Sequence, residues 1–91
     1  MNFSVVLFKD SNCDLCKLMQ KELMDNPPNA EITILHIKHE RSKTLANLQN
    51  ITEFPTTIIY CGEDEITRRI GFIDSETIDK IIKQYETERV V

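Results

Sequence analysis

Two cysteines three positions apart, Cys13-Asp14-Leu15-Cys16, sit directly after the apolar run Phe3-Ser4-Val5-Val6-Leu7-Phe8 and directly before a helical pattern. This placement constrains the chain more than any other feature. It demands a buried strand, a short polar loop and a helix whose first turn holds both thiols. Two thiols so spaced at a helix start can close a small disulfide ring and reopen it, and with a βαβ pattern the pair reads as a dithiol–disulfide redox centre. The first thiol lies where free backbone N–H groups and the helix dipole favour a thiolate.

The rest of the pattern is legible around that unit. Residues 3–8 read as a strand buried on both faces. Residues 9–12 form a polar loop, with Ser11 and Asn12 as N-cap candidates. A helix is expected from about Cys13 to Met24, with Leu15, Leu18, Met19 and Leu23 at helical spacing and Cys16 on the side of Met19 and Leu23. Asp25-Asn26-Pro27-Pro28-Asn29 stops it. Residues 31–37 make a second strand, and a short helix follows from Ser42 to Asn50 with Leu45 and Leu48 facing inward.

Residues 56–61 make a third strand, Gly62-Glu63-Asp64 a tight turn, and residues 65–70 an edge strand closed by Gly71. Asp74 or Ser75 caps a last helix, striped by Ile78, Ile81, Ile82 and Tyr85. The tail Glu88-Arg89-Val90-Val91 is expected to fray. The order is β-α-β-α-β-β-α. The first βαβ unit must be parallel and right-handed, and strands three and four pair as an antiparallel hairpin. The fold class is α/β: a three-layer α/β/α sandwich around a four-stranded mixed sheet, formed by residues 1–91 as a single domain.

Bulk properties remove other classes of function. The formal charge of −4 gives no broad attraction to nucleic acid or anionic lipid. No apolar stretch approaches a membrane span, and the N-terminus has no signal-peptide pattern, so a reducing, cytoplasmic setting is expected. The cysteine count of three is odd, which argues against a disulfide framework. The spacing of Cys61, His36 and His39 from the pair matches no zinc pattern, so no metal and no cofactor are expected. Cys61 reads as a strand-end thiol, and the two histidines read as structural or solvated.

The Cys13-x-x-Cys16 pair after the first strand, Phe54-Pro55-Thr56 before the third, the closing ββα unit and Gly71 together resemble the thioredoxin-fold superfamily across nearly the whole chain. In that family the proline before strand three is cis and lies against the cysteine pair, and a threonine follows it, as Thr56 follows Pro55 here. The chain departs from thioredoxins in carrying Asn12-Cys13-Asp14-Leu15-Cys16 where they have Trp-Cys-Gly-Pro-Cys, and Leu7 where they bury an aspartate. Its compact outline, starting at the strand before the cysteines, is closer to glutaredoxin.

The resemblance implies a small dithiol–disulfide oxidoreductase acting on disulfide-containing proteins, with Cys13 as nucleophile and Cys16 as resolving thiol. Phe54, Pro55 and Thr56 would form the substrate-binding wall, a flavoprotein reductase or glutathione would be the reductant, and the chain would act as a monomer. Asp14 opposes a thiolate on Cys13, so the couple is expected to be reducing. Two alternatives stand beside this reading: a glutathione-dependent, glutaredoxin-like enzyme, and a redox-silent binding module of the same fold.

Overall fold

A computed structural model describes residues 1–89 of the protein. Seven elements follow in the order β1 (Phe3–Lys9), α1 (Asp14–Asp25), β2 (Glu31–His36), α2 (Glu40–Leu48), β3 (Thr56–Cys61), β4 (Asp64–Ile70) and α3 (Ser75–Arg89). The strands form one mixed sheet in the order β2-β1-β3-β4. β1 runs parallel to β2 and antiparallel to β3, and β3 and β4 form the antiparallel hairpin. The β-α-β-α-β-β-α order is that of the thioredoxin-like sandwich.

Side-chain alternation along β1 divides the core into two layers. Phe3, Val5 and Leu7 point to one face and pack with Met19 and Leu23 of α1, Ile59 of β3, and Ile78 and Ile82 of α3. Val6 and Phe8 point to the other face and pack with Ala46 of α2, Ile51 and Ile58. Burial on both faces explains why β1 and β3 read as continuous apolar runs rather than alternating ones. Glu22 ties α1 to α3: its carboxylate accepts the Ser75 N–H at 2.8 Å, a charge-assisted bond to the N-terminus of a helix.

Four sequence expectations are corrected. The cap of α1 is Cys13 itself, not Ser11 or Asn12: its sulfur accepts the Cys16 N–H, while Asn12 adopts a left-handed φ of 56° to turn the chain into the helix. On α1, Cys16, Met19 and Leu23 are buried, but Leu15 and Leu18 face solvent.

The second helix starts two residues earlier than expected, and its inward positions are Ser42 and Ala46; Leu45 is exposed and Leu48 is 73% exposed. The small side chain of Ala46 lets the helix lie close to the large Phe8 and Ile58, and a leucine there would force it away. Finally, Glu88 and Arg89 belong to α3, where the Arg89 guanidinium stacks 4.8 Å from the Tyr85 ring centroid. The expectation of fraying at Val90 and Val91 lies outside the described residues.

Asp74 caps α3, its Oδ1 accepting the Thr77 N–H at 2.8 Å. Hydrogen bonding from Thr77 holds the Asp74 carboxyl below its ordinary range. A depressed carboxyl contributes stability above its unfolded pKa of about 4 and loses it as pH falls through the lower folded value. The Asp74→Ala protein is therefore expected to melt lower than wild type at pH 7, with the gap closing below about pH 4. Thermal melts across pH 2–7 check this.

Candidate active site

The loop Asp10–Cys13 leaves the C-terminal end of β1 and delivers both cysteines to the first turn of α1. Cys13 and Cys16 form a disulfide, with their Cα atoms 5.2 Å apart. The two sulfurs differ in access. Cys16 is 1% exposed, on the inward stripe with Met19 and Leu23, whereas Cys13 is half-buried at the helix mouth. The Cys16 backbone N–H donates to the Cys13 sulfur at 3.1 Å. When the bond is reduced, the same N–H and the helix N-terminus favour negative charge on that sulfur.

The segment before β3 meets the pair from the other side. The Phe54–Pro55 peptide is cis, Pro55 is fully buried, and the Phe54 carbonyl oxygen lies 3.8 Å from the Cys13 sulfur. Cys13, Cys16, Phe54 and Pro55, distant in sequence, thus converge. Thr56 is buried behind them, and its hydroxyl is already committed, donating to the Glu53 carbonyl at 2.6 Å and closing the turn. Pro55 in turn accepts the Gly71 N–H at 2.8 Å, which brings the β4–α3 corner to the site. Gly71 has a φ of 91°, a conformation side chains rarely adopt, so glycine is required there. An apolar rim results: Leu15, Ile70 and Phe72 are all exposed large side chains on elements joined at this point.

Charged and titratable groups near the loop have defined partners. Lys9 donates to Gln20 Oε1 on α1. His36 Nδ1 accepts the Lys38 backbone N–H at 3.1 Å, so the ring proton resides on Nε2, 3.5 Å from Ser11 Oγ. Desolvation, then Lys38 and Lys9, push the His36 pKa down, favouring the neutral ring. Asp14 is fully exposed and lies 3.9 Å from Lys17. Leu7 is completely buried, so the β1 position where thioredoxins were expected to carry an aspartate holds no charge.

Cys61 ends β3 as a free, half-buried thiol. Among the described residues, no group of three or more His, Cys, Asp or Glu side chains could hold a metal ion.

The match to a thioredoxin-like domain extends over residues 2–86. The chain belongs to the thioredoxin-like family. Solved structures share this thioredoxin-like fold at low identity. Thioredoxin-2 of the malaria parasite, from work describing it as a component of that parasite's protein secretion machinery, superposes with a TM-score of 0.78 at 17% identity. That match covers 91% of this chain and 82% of the other. Thioredoxin 1 of Thermosipho africanus gives a TM-score of 0.70 at 20% identity, covering 92% and 94%. Thioredoxin O2 of Arabidopsis thaliana in its oxidized state gives 0.70 at 19%, covering 91% and 74%. No curated protein sequence matches the chain.

Sequence reasoning missed the contact between β4 and the end of α2. Arg68 on β4 donates to the Gln49 carbonyl at 2.7 Å and pairs through two nitrogens with Glu65. In the sequence Arg68 is one charge in an alternating strand, and nothing there signals a partner 19 residues upstream. The ladder register that brings β4 beside the end of α2 is needed to find it.

Proposed function

We propose that this thioredoxin-like domain is a dithiol–disulfide oxidoreductase that reduces protein disulfides in the cytoplasm, acting as a single-domain monomer. The observation that carries the reading is the asymmetric disulfide: a half-buried Cys13 sulfur at a helix N-terminus, bonded to a buried Cys16 and faced by the Phe54 carbonyl. In the reduced protein the Cys13 thiolate attacks one sulfur of a substrate disulfide. A mixed disulfide forms, the substrate S–S bond breaks, and the departing sulfur takes up a proton. The Cys16 thiol then loses its proton and attacks the Cys13 sulfur. The Cys13–Cys16 bond forms, the mixed disulfide breaks, and the second substrate sulfur is protonated. Two electrons and two protons have passed to the substrate, and an external reductant, a flavoprotein reductase or glutathione, restores the dithiol.

The Phe54 backbone and Pro55 would receive an extended substrate segment alongside Cys13. Thr56 would contribute through its backbone, since its hydroxyl is bound to Glu53. Leu15, Ile70 and Phe72 favour apolar residues flanking the substrate cysteine. No helix among the described residues is long and apolar enough to cross a membrane.

The test is reduction of a protein disulfide such as insulin's, with the reduced protein as donor and Cys13→Ser as control. Activity in wild type and none in the variant supports the reading. Equal rates leave only a binding module of this fold.

Full exposure of Asp14 limits its influence on Cys13, because solvent and Lys17 screen it. Asp14→Asn is expected to raise the redox potential, but by less than about 30 mV. Equilibration with glutathione buffers reads the shift.

A further inference from the structure

The connector between α2 and β3 carries the carbonyl that faces Cys13, and its apolar packing comes from two residues, Ile51 and Phe54, in the layer with Phe8 and Ile58. Of residues 50–54, only Ile51 is buried; Asn50, Thr52 and Glu53 are exposed and Phe54 is half-buried. Beneath the connector lies a cavity of about 50 Å³, lined in part by Thr52, Glu53 and Arg68. Asn50 has a φ of 57°, which ends α2 and turns the chain away from it. A segment built this way needs fixing at both ends. Its far end is fixed by the Gly71-to-Pro55 and Thr56-to-Glu53 hydrogen bonds. Its near end is held by the Asn50 and Ile51 N–H groups, which donate to the Asn47 and Ala46 carbonyls at 3.1 and 2.9 Å, and by Ile51 in the core; Arg68 is the side chain that adds a hydrogen bond there, to the Gln49 carbonyl.

The Arg68 guanidinium is held between Gln49 and Glu65. Nη1 donates to the Gln49 carbonyl at 2.7 Å, and Nη2 lies 3.5 Å from Gln49 Oε1. Nε and Nη2 donate to the two Glu65 carboxylate oxygens at 2.8 and 2.7 Å, a fork-on-carboxylate geometry that fixes the plane of the group. The pairing raises the Arg68 pKa and lowers that of Glu65, each through the hydrogen bond to the other. A cation held in place at the C-terminal end of α2 also meets the negative end of the helix dipole.

We propose that Arg68 is a positioning residue for substrate binding: by clamping the end of α2 it fixes the start of the connector, and so the Phe54 backbone against which a protein disulfide docks beside Cys13. This rests on the oxidoreductase reading above. Arg68 touches neither sulfur, so the chemistry of the pair is independent of it. A protein substrate that pairs with the connector depends on the clamp. A small disulfide that needs only the Cys13 sulfur does not.

Arg68→Met keeps the aliphatic stem and removes the fork; Arg68→Lys keeps the charge and one donor. Steady-state kinetics with a protein disulfide and with a small aromatic disulfide separate the effects. For Arg68→Met we expect KM for the protein disulfide to rise about tenfold, the scale of losing one charge-assisted hydrogen bond. We expect kcat to change less than about twofold, and the small-disulfide rate and the Cys13–Cys16 potential to hold. Arg68→Lys is expected to recover part of the KM and is the working variant should Arg68→Met fail to fold. Amide hydrogen exchange at residues 50–54 is expected to speed up in either variant. Unchanged KM in a folded variant, or a parallel fall in the small-disulfide rate, overturns the proposal. Unchanged exchange overturns it whatever the activity. A wild-type protein that reduces neither disulfide overturns the oxidoreductase reading and the KM claim with it, while the exchange result still reports on the clamp.

Discussion

Cys16→Ser is expected to stop protein disulfide reduction and leave the protein covalently joined to its substrate in a one-to-one complex through Cys13. The two sulfurs are not equivalent: Cys13 is reachable at the helix mouth, and Cys16 is enclosed with Met19 and Leu23. Without the buried thiol the first exchange still proceeds, because it needs only Cys13. The second does not, because a serine hydroxyl is not ionised near neutral pH and is a poor nucleophile toward sulfur. Turnover should fall to background while the adduct accumulates. Non-reducing electrophoresis and intact mass measure it, and dithiothreitol should release it. Adduct formation in Cys13→Ser instead would reverse the assigned roles. A Cys16→Ser protein that still turned over glutathionylated substrate with glutathione would favour the glutaredoxin-like alternative.

Leu23→Ala should destabilise the fold far more than truncation of any exposed leucine. Leu23 is completely buried, between the sheet and α3 in the layer that holds Val5, Leu7, Ile59 and Ile78. Truncation removes the transfer free energy of the lost carbons and leaves a cavity, together about 2–5 kcal/mol. Domains of this size are stable by only about 5–15 kcal/mol, and each kcal/mol moves the melting temperature by about 4–8 °C. A fall of at least about 8 °C is therefore expected in the reduced protein. Leu48→Ala is the matched control. That side chain is 73% exposed, so its loss should stay within about 0.5 kcal/mol. Urea melts of both proteins check the contrast, and a large effect at Leu48 would contradict the packing of α2.

That pair of leucines also marks where sequence reading succeeds and where it stops. Leu23 shares an inward stripe with Cys16 and Met19, and a twelve-residue helix carries enough periodicity to reveal that side. Helix α2 has nine residues, and its inward positions are a serine and an alanine. Hydropathy cannot identify a face made of small groups, so the two leucines drew the assignment toward solvent-facing positions. The strands were legible because burial on both faces makes β1 and β3 continuously apolar. The cap of α1 was not, because a disulfide-bonded cysteine takes the place that serine or asparagine usually fills. The cysteine pair and the Phe54-Pro55 segment could be read as local motifs. Their meeting, and the contact of Arg68 with Gln49, depend on strand order and register, which single-sequence patterns do not encode.

The unequal exposure of the two sulfurs has a kinetic meaning under the proposed reading. With Cys16 enclosed, every incoming molecule, whether it delivers electrons or collects them, must arrive at the same atom. Donor and client then take turns at one doorway and cannot be held together in a ternary complex. Initial-velocity plots against each should give parallel lines, and an excess of either should slow the other.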